Sequence, residues 1–149
     1  MVFLDRLPTK ERLQRMGLLN DCHCVLCGAA METRNHLFFE CPAASSLWTA
    51  VFSLNGLQNN LLSWNDLLAW AAAKWKGKSL LTYILKIASN ALIYSLWEER
   101  NKRIFQERSI TIEDLFHAIK ETVGFQLRGR NINRLDPTNI TLCNNWGII

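Results

Sequence analysis

The spacing of cysteine and histidine near the N-terminus constrains this chain more than any other feature of its sequence. Four cysteines and two histidines fall in the stretch CHCVLCGAAMETRNHLFFEC. Cys24 and Cys27 have the C-x2-C spacing that lets two thiolates converge on one ion in a tight turn, and His36 and Cys41 complete a C-x2-C-x8-H-x4-C pattern. Three thiolates and one imidazole suit tetrahedral zinc and are too rich in sulfur for magnesium or calcium. We therefore expect one structural Zn²⁺ in a closed site that has no open position for activating water.

The neighbouring Cys22 and His23 are alternative candidates for one of the four ligands, because either could take the place of Cys24. Only Cys24 has the two-residue gap to Cys27, so we expect Cys22 to be a bystander. Buried free cysteines are also common in protein cores, which is the simplest alternative to a metal site. A thioredoxin-like redox pair is disfavoured, since no strand-helix-strand pattern surrounds the motif.

The cysteine count argues against a disulfide scaffold. The chain has five cysteines, an odd number, and Cys143 is far from the other four. The first twenty residues have no basic region followed by an apolar run and a small-residue cleavage site. We therefore expect an intracellular protein, nuclear or cytoplasmic, whose thiols are kept reduced, and we expect Cys143 to be a tail thiol.

Hydrophobic periodicity predicts a mainly α-helical domain. A chain of 149 residues, 49% of them apolar, can bury one core without disulfides. Apolar residues recur at helical spacing in five segments, 7–17, 42–56, 63–75, 79–105 and 111–125. Thr9, Ser63 and Thr111 are candidate N-caps. The segment 79–105 has no glycine or proline and is apolar on more than one side, so we expect it to be the spine of the domain.

The predicted architecture is a small N-terminal CCHC zinc-binding motif followed by a helical bundle of about four helices. The expected units are a zinc-binding domain at 1–55, a helical bundle packed on it at 56–126, and a basic, loosely ordered tail at 127–149. Within the spine, nineteen residues with one charge approach the length of a transmembrane helix. We expect no membrane partner, because Lys86 would then lie near the bilayer centre.

The charge pattern permits a nucleic-acid partner. The net charge is +4 and the sequence pI is near 8.9, which allows an acidic partner without requiring one. The middle basic cluster, ERNKRIFQER, is interleaved with acids, and much of it is expected to pair within its own helix. The other two clusters supply the candidate contacts to RNA or DNA phosphates, namely Arg6, Lys10, Arg12, Arg15, Arg128, Arg130 and Arg134.

The stretch RLPTKERLQRMGLLNDCHCVLCGAAMETRNHLFFECPAASSLW resembles the zinc-binding domain found downstream of the polymerase in plant LINE-type (non-LTR) retrotransposon reverse transcriptases. The features that carry the resemblance are the leading LPTKERL helix, CVLCG, ETRNHLFFECP and a tryptophan, Trp48, seven residues past the last cysteine. The resemblance covers about residues 3–50. It implies a retroelement-derived accessory module that binds nucleic acid, with the remainder of a retroelement polyprotein as a partner. It also implies that the zinc ligands are Cys24, Cys27, His36 and Cys41.

Two functional hypotheses follow from these features. The chain has no paired-aspartate polymerase motif of the Y-x-D-D kind, so we expect no enzymatic activity. In the first hypothesis the zinc motif is a rigid platform for nucleic acid, and one of the adjacent Phe38 and Phe39 packs inward while the other faces out to stack on bases. In the second, zinc staples a structural or protein-interaction domain. The tryptophans expected in the core are Trp64, Trp70, Trp75 and Trp97.

Overall fold

The computed structural model describes residues 7–148. Within that range the regular secondary structure is helical, apart from one isolated β-bridge between His23 and Met31. The elements are α1 Lys10–Arg15, a π-helix His36–Glu40, α2 Pro42–Leu54, α3 Trp64–Lys74, α4 Leu80–Phe105, α5 Ile112–Leu127 and α6 Pro137–Trp146. The predicted fold class, mainly α with a Cys/His cluster near the N-terminus, is confirmed.

Hydroxyl side chains cap the start of four of the helices. The hydroxyl oxygens of Thr9, Ser63 and Thr111 accept hydrogen bonds from the backbone N–H three residues on, at 3.3, 3.1 and 3.1 Å. Ser79 does the same for α4 at 3.2 Å. Each bond satisfies a backbone donor that the first turn of a helix leaves without a partner. The three predicted caps are therefore confirmed.

The apolar core lies between α4 and the helices that pack on it, α2, α5 and α6. Leu92 and Leu96 of α4 are fully buried, as are Leu47 and Val51 of α2 and Ile119 of α5. Residues four apart on a helix share a face, so each pair forms part of one apolar stripe. Burying a Leu, Ile or Val side chain contributes about 1.5–3 kcal/mol. The predicted spine is therefore the element on which the bundle is assembled.

The long helix α4 also meets the length and composition criteria for crossing a membrane, with a mean hydropathy of 1.3 over its most apolar window. In this fold one side of α4 is covered by α2, α5 and α6. Its buried residues include Ile84, Leu85 and Ala88, which contact the core of the bundle. Packing against its own chain buries 39% of that window.

The expectation of a loosely ordered tail at 127–149 was wrong for Pro137–Trp146, which form helix α6. Asp136 caps α6 by accepting from the N–H groups of Thr138 and Asn139, and Pro137 occupies the first helical turn. The indole N–H of Trp146 donates to Oδ1 of Asn55 at 2.9 Å, and both residues are buried. Trp146 fixes the end of α6 because its indole is buried and has a hydrogen-bond partner at the end of α2.

Two smaller expectations about the C-terminal half also change. Helix α5 extends beyond the predicted segment 111–125 to Leu127, which is buried against the core. Cys143 is not an accessible tail thiol, because α6 places it on the buried face beside Leu142. Both corrections have the same cause, since α6 covers a surface that would otherwise face solvent.

Candidate metal centre

The four predicted ligands converge on one point. Their ligand atoms, three cysteine Sγ atoms and a ring nitrogen of His36, all lie within 4.8 Å of one another. The Sγ atoms of Cys24 and Cys41 are 4.0 Å apart, and Sγ of Cys27 is 3.3 Å from Nε2 of His36. A tetrahedral zinc with bonds of about 2.3 Å to sulfur and about 2.0 Å to nitrogen separates its ligand atoms by about 3.5–3.8 Å. The donor set and its spacing therefore fit one Zn²⁺.

A tight turn positions the first two cysteines. The backbone N–H of Gly28 donates to the carbonyl of Cys24 at 2.7 Å, and the N–H of Cys24 donates to the carbonyl of Ala30 at 2.8 Å. Gly28 has a φ of +69°, which a residue with a Cβ rarely adopts. This turn, residues 22–32, is called the metal-binding turn below. It folds the chain back on itself and directs the side chains of Cys24 and Cys27 to the same side.

The π-helix positions the other two ligands. Its geometry bonds each N–H to the carbonyl five residues earlier, and the N–H of Cys41 donates to the carbonyl of His36 at 2.7 Å. The x4 spacing in HLFFEC is too long for two side chains to be neighbours at i, i+4 on an α-helix. A wider turn brings residues five apart into register, so the π-helix is the local structure that this spacing requires.

Aromatic side chains pack the π-helix against the helical bundle. Phe38 and Phe39 are both buried, so the expectation that one of them faces out was wrong. Phe39 stacks on Trp48 with ring centroids 5.6 Å apart, and the Trp48 indole N–H donates to the carbonyl of Phe38 at 2.7 Å. Trp64 contacts both phenylalanines edge-on. The π-helix is thereby attached to α2 and α3. Both phenylalanines are used in this packing, so neither is exposed for base stacking.

The four tryptophans that were expected in the core are buried or partly buried there. Trp64 is 3% exposed. Trp70, Trp75 and Trp97 are partly buried and pack against the core cluster.

Cys22 and His23 lie outside the four-residue cluster. Nδ1 of His23 is 3.0 Å from Oδ1 of Asp21, and the backbone N–H of His23 donates to the same oxygen at 3.0 Å. These two bonds, assisted by Lys10, lower the pKa of Asp21 to about 2. His23 is therefore directed away from the cluster and towards solvent. The structure thus brings Cys24, not its two neighbours, to the metal centre.

In the ion-free geometry the thiol of Cys24 donates a hydrogen bond to Sγ of Cys41, 4.0 Å away. A hydrogen bond to Cys41, together with burial, raises the pKa of Cys24. The same hydrogen bond lowers the pKa of Cys41, and the N–H groups of Ala43 and Ala44 at the start of α2 lower it further. The positive end of a helix dipole favours a thiolate. Cys41 is thus prepared as a thiolate ligand, whereas an ion must displace the proton held by Cys24.

Sequence reasoning missed a buried ion pair beside this centre. Glu32, between Cys27 and His36 in the chain, is fully buried, and its Oε1 is 2.8 Å from Nη2 of Arg100 on α4. The cluster containing Arg100 was expected to pair largely within its helix, and Lys102 and Arg103 do so with Glu98 and Glu99. Arg100 instead binds a carboxylate 68 positions away. No local pattern in the sequence signals a pair with that separation.

The predicted nucleic-acid contacts fall into two groups at the surface. Arg6 lies outside the described residues. Lys10, Arg12 and Arg15 are on α1, where Lys10 is 3.4 Å from Asp21 and Arg15 is 2.7 Å from Glu11. The C-terminal group, Arg128, Arg130 and Arg134, lies after α5 and is exposed. Arg128 is placed over the ring of Phe125 and Arg130 over the ring of Tyr83.

Comparison with known proteins agrees with the class of site that this geometry defines. Residues 1–48 match the protein family described as zinc-binding in reverse transcriptase. The matched segment covers about a third of the chain and contains all four clustered residues. No curated protein matches the chain significantly, and no solved structure does. The match supports a reverse transcriptase zinc-binding domain, a class distinct from the catalytic polymerase domain, in the N-terminal part of this chain.

Proposed function

We propose that the chain is a non-catalytic zinc-binding module of the reverse transcriptase type, in which one Zn²⁺ is held by Cys24, Cys27, His36 and Cys41. The observation that carries the proposal is the convergence of these four ligand atoms within 4.8 Å, inside the segment that matches the family. The ion would supply structural cross-linking, because four protein ligands leave no position for a substrate or a reactive water.

The finer part of the proposal is that the module derives from a plant LINE-type retrotransposon and binds RNA or DNA. Its partners would then include the remainder of a retroelement polyprotein, and it would act in the nucleus or cytoplasm. Two features support this. The LPTKERL and HLFFECP motifs resemble that group of elements, and α1 places basic side chains next to the metal-binding turn.

The nucleic-acid contacts would be mainly electrostatic. Phe38 and Phe39 are buried, so we assign phosphate binding to Lys10, Arg12 and Arg15 near the metal centre and to Arg128, Arg130 and Arg134 after α5. Each phosphate that a lysine or arginine neutralises releases bound counterions, so binding weakens as salt rises. Binding through these residues therefore predicts strong salt dependence and little sequence preference.

The test is to measure zinc content first and then binding of the zinc-loaded protein to single-stranded RNA, single-stranded DNA and duplex DNA over a salt series. We expect Arg128→Gln/Arg134→Gln to reduce the salt slope by about one per lost phosphate contact. Lys74→Gln/Lys76→Gln is the matched control, since it removes two exposed positive charges elsewhere. Binding that is absent, insensitive to salt, or weakened equally by both variants would contradict the nucleic-acid assignment.

One observation favours a second candidate function, a zinc-stapled protein-interaction module. Met16 and Leu18 follow α1 directly and are 59% and 64% exposed. Large apolar side chains exposed together favour protein contacts. A zinc-loaded protein that binds no nucleic acid at low salt would favour this alternative and would leave the metal assignment intact.

A further inference from the structure

The carboxylate of Glu32 is the meeting point of three segments of the chain. Its Oε1 accepts from the backbone N–H of Lys10 at 2.7 Å and from Nη2 of Arg100 at 2.8 Å, and its Oε2 accepts from Nε of Arg100 at 3.2 Å. Glu32 and Arg100 are 0% and 3% exposed. The pair is bidentate, which fixes its geometry as well as its charge. It connects the metal-binding turn, the start of α1 and the spine of the bundle.

Helix α1 is short, and hydrogen bonds to Glu32 and Arg100 hold its start. It is six residues long and none of them is buried, and a helix this short is not stable alone. Its start is held by the carboxylate of Glu32, by a bond from the N–H of Glu11 to the carbonyl of Glu32 at 3.2 Å, and by a bond from Nη2 of Arg100 to the carbonyl of Pro8 at 3.0 Å. The position of α1 therefore depends on Glu32 and Arg100.

The position of Glu32 depends in turn on the metal-binding turn. Glu32 lies between Cys27 and His36, and its N–H donates to the carbonyl of Cys22 at 2.7 Å, which closes the turn that carries Cys24. On the other side, Arg100 is on the rigid helix α4 and lies over the ring of Trp97 at 4.6 Å. An ion that orders the turn would also fix the carboxylate with respect to Arg100.

We propose that Arg100 is a positioning residue for the metal centre, and that its buried pair with Glu32 links ion binding to the docking of α1. A buried ion pair contributes little net stability, because desolvation opposes the attraction between the charges. Such a pair does, however, fix register between the segments that carry it. Linkage is reciprocal, so an ion that favours the docked arrangement binds more weakly when the arrangement is disrupted. The inference rests on the zinc binding proposed above and not on nucleic-acid binding.

The first test uses the unaltered chain and amide hydrogen exchange. Zinc-loaded protein is compared with protein from which zinc has been removed by a chelator. We expect the amides of α1 and of residues 22–36 to lose protection on removal, while those of α4 and α5 keep theirs. Unchanged protection of α1, or loss of protection throughout the bundle to the same extent, would overturn the proposal.

The second test measures zinc affinity by competition with a chromophoric chelator. Glu32→Gln/Arg100→Met removes both charges together, so no unpaired charge is buried. We expect zinc to bind about tenfold or more weakly, in the range found when groups that orient metal ligands are altered. Glu99→Gln/Arg103→Met is the matched control, because it also removes both charges of an ion pair, in which Arg103 binds the buried Glu99 at 2.7 Å on the same helix. We expect the control to lower thermal stability and to leave zinc affinity unchanged.

The outcomes separate this inference from the proposed function. Zinc affinity that is equal in the paired variant and the unaltered chain would overturn the role of Arg100, while the zinc site itself would stand. Equal weakening in Glu99→Gln/Arg103→Met would also overturn it, because the effect would then be one of general stability. Absence of zinc binding in the unaltered chain would overturn both this inference and the proposed function.

Discussion

Two regions of this molecule are held together by different kinds of interaction. In the N-terminal segment, residues 7–36, the buried residues are Thr9, Cys24, Glu32 and His36, all of them polar or sulfur-containing. In the helical region, residues 37–148, the buried residues are mostly leucine, isoleucine, valine, phenylalanine and tryptophan. The first region has no hydrophobic core of its own. It is organised by convergent ligands and a buried ion pair, whereas the second is organised by apolar packing.

From this difference we expect that zinc binding in the first region and the packing of the second region can be lost independently. Apolar burial acts over the whole surface removed from water, so the helical region tolerates loss of any single polar contact. Ligand binding to an ion, in contrast, needs every donor in place. Cys41 and Arg100 lie in the helical region but serve the metal centre and its ion pair. Substitutions elsewhere in the helical core should leave zinc binding intact, and loss of a zinc ligand should leave the helices folded. The first two of the four predictions that follow test this separation.

The largest effect is expected for Cys24→Ser. Loss of one thiolate should abolish stoichiometric zinc binding, because structural zinc sites provide apparent binding energies of about 10–16 kcal/mol only with a full ligand set. Metal content of the purified protein measures the loss, and circular dichroism should show that the helices of residues 42–148 remain. Cys22→Ser is the control, since Cys22 lies outside the cluster and should keep one equivalent of zinc. Equal loss of zinc in both variants would break the ligand assignment.

The converse experiment is Leu92→Ala in α4. Leu92 is fully buried in the helical core, and such truncations cost about 2–5 kcal/mol. Chemical denaturation should show that decrease in the free energy of unfolding, while the folded protein still binds one zinc. Tyr94→Ala, on the same helix and 68% exposed, should change stability little. A Leu92 variant that is folded but has lost its zinc would contradict the separation of the two regions.

A smaller effect is expected at the C-terminus for Trp146→Phe. The substitution keeps an aromatic ring but removes the donor that binds the buried Oδ1 of Asn55. Leaving a buried acceptor without its partner costs about 1–3 kcal/mol, and thermal unfolding should reveal it. The proteolysis rate of residues 127–148 should rise at the same time. No change in either measurement would mean that α6 is not part of the cooperative core.

Zinc affinity should also depend on pH. For each proton that zinc displaces, the affinity should change about tenfold per pH unit. The raised pKa of Cys24 means that its thiol is protonated at neutral pH in the ion-free protein. Zinc must displace that proton. Lowering the pH raises the concentration of competing protons and therefore weakens zinc binding. Chelator competition at several pH values measures the slope, and Cys22→Ser should share it. A flat profile from pH 6 to 8 would contradict this account.

Much of the fold was predictable because its signals are local. Hydrophobic periodicity predicted the segments that became α2 to α5, and Thr9, Ser63 and Thr111 cap helices as expected. The tail was mispredicted even though Asp136 and Pro137 are recognisable helix-start signals. The basic and polar composition of this stretch led to its assignment as a tail. The docking of Trp146 on α2 adds to these start signals but cannot be read from the sequence.

The candidate site divides in the same way. The spacing of Cys24, Cys27, His36 and Cys41 was sufficient to predict which side chains come together, because ligand geometry restricts sequence spacing. The Glu32–Arg100 pair was not predictable, since it joins residues 68 positions apart and depends on how α4 packs. The burial of both Phe38 and Phe39 was also missed, because an α-helical or extended pattern does not apply to a π-helix.

The central claim, that one zinc is bound by three cysteines and one histidine, is tested most directly by X-ray absorption at the zinc edge on the unaltered 149-residue chain. The account predicts one equivalent of zinc with three sulfur neighbours at about 2.3 Å and one nitrogen at about 2.0 Å. A shell with fewer than three sulfurs, a shell dominated by oxygen, or folded protein that holds no zinc would contradict it.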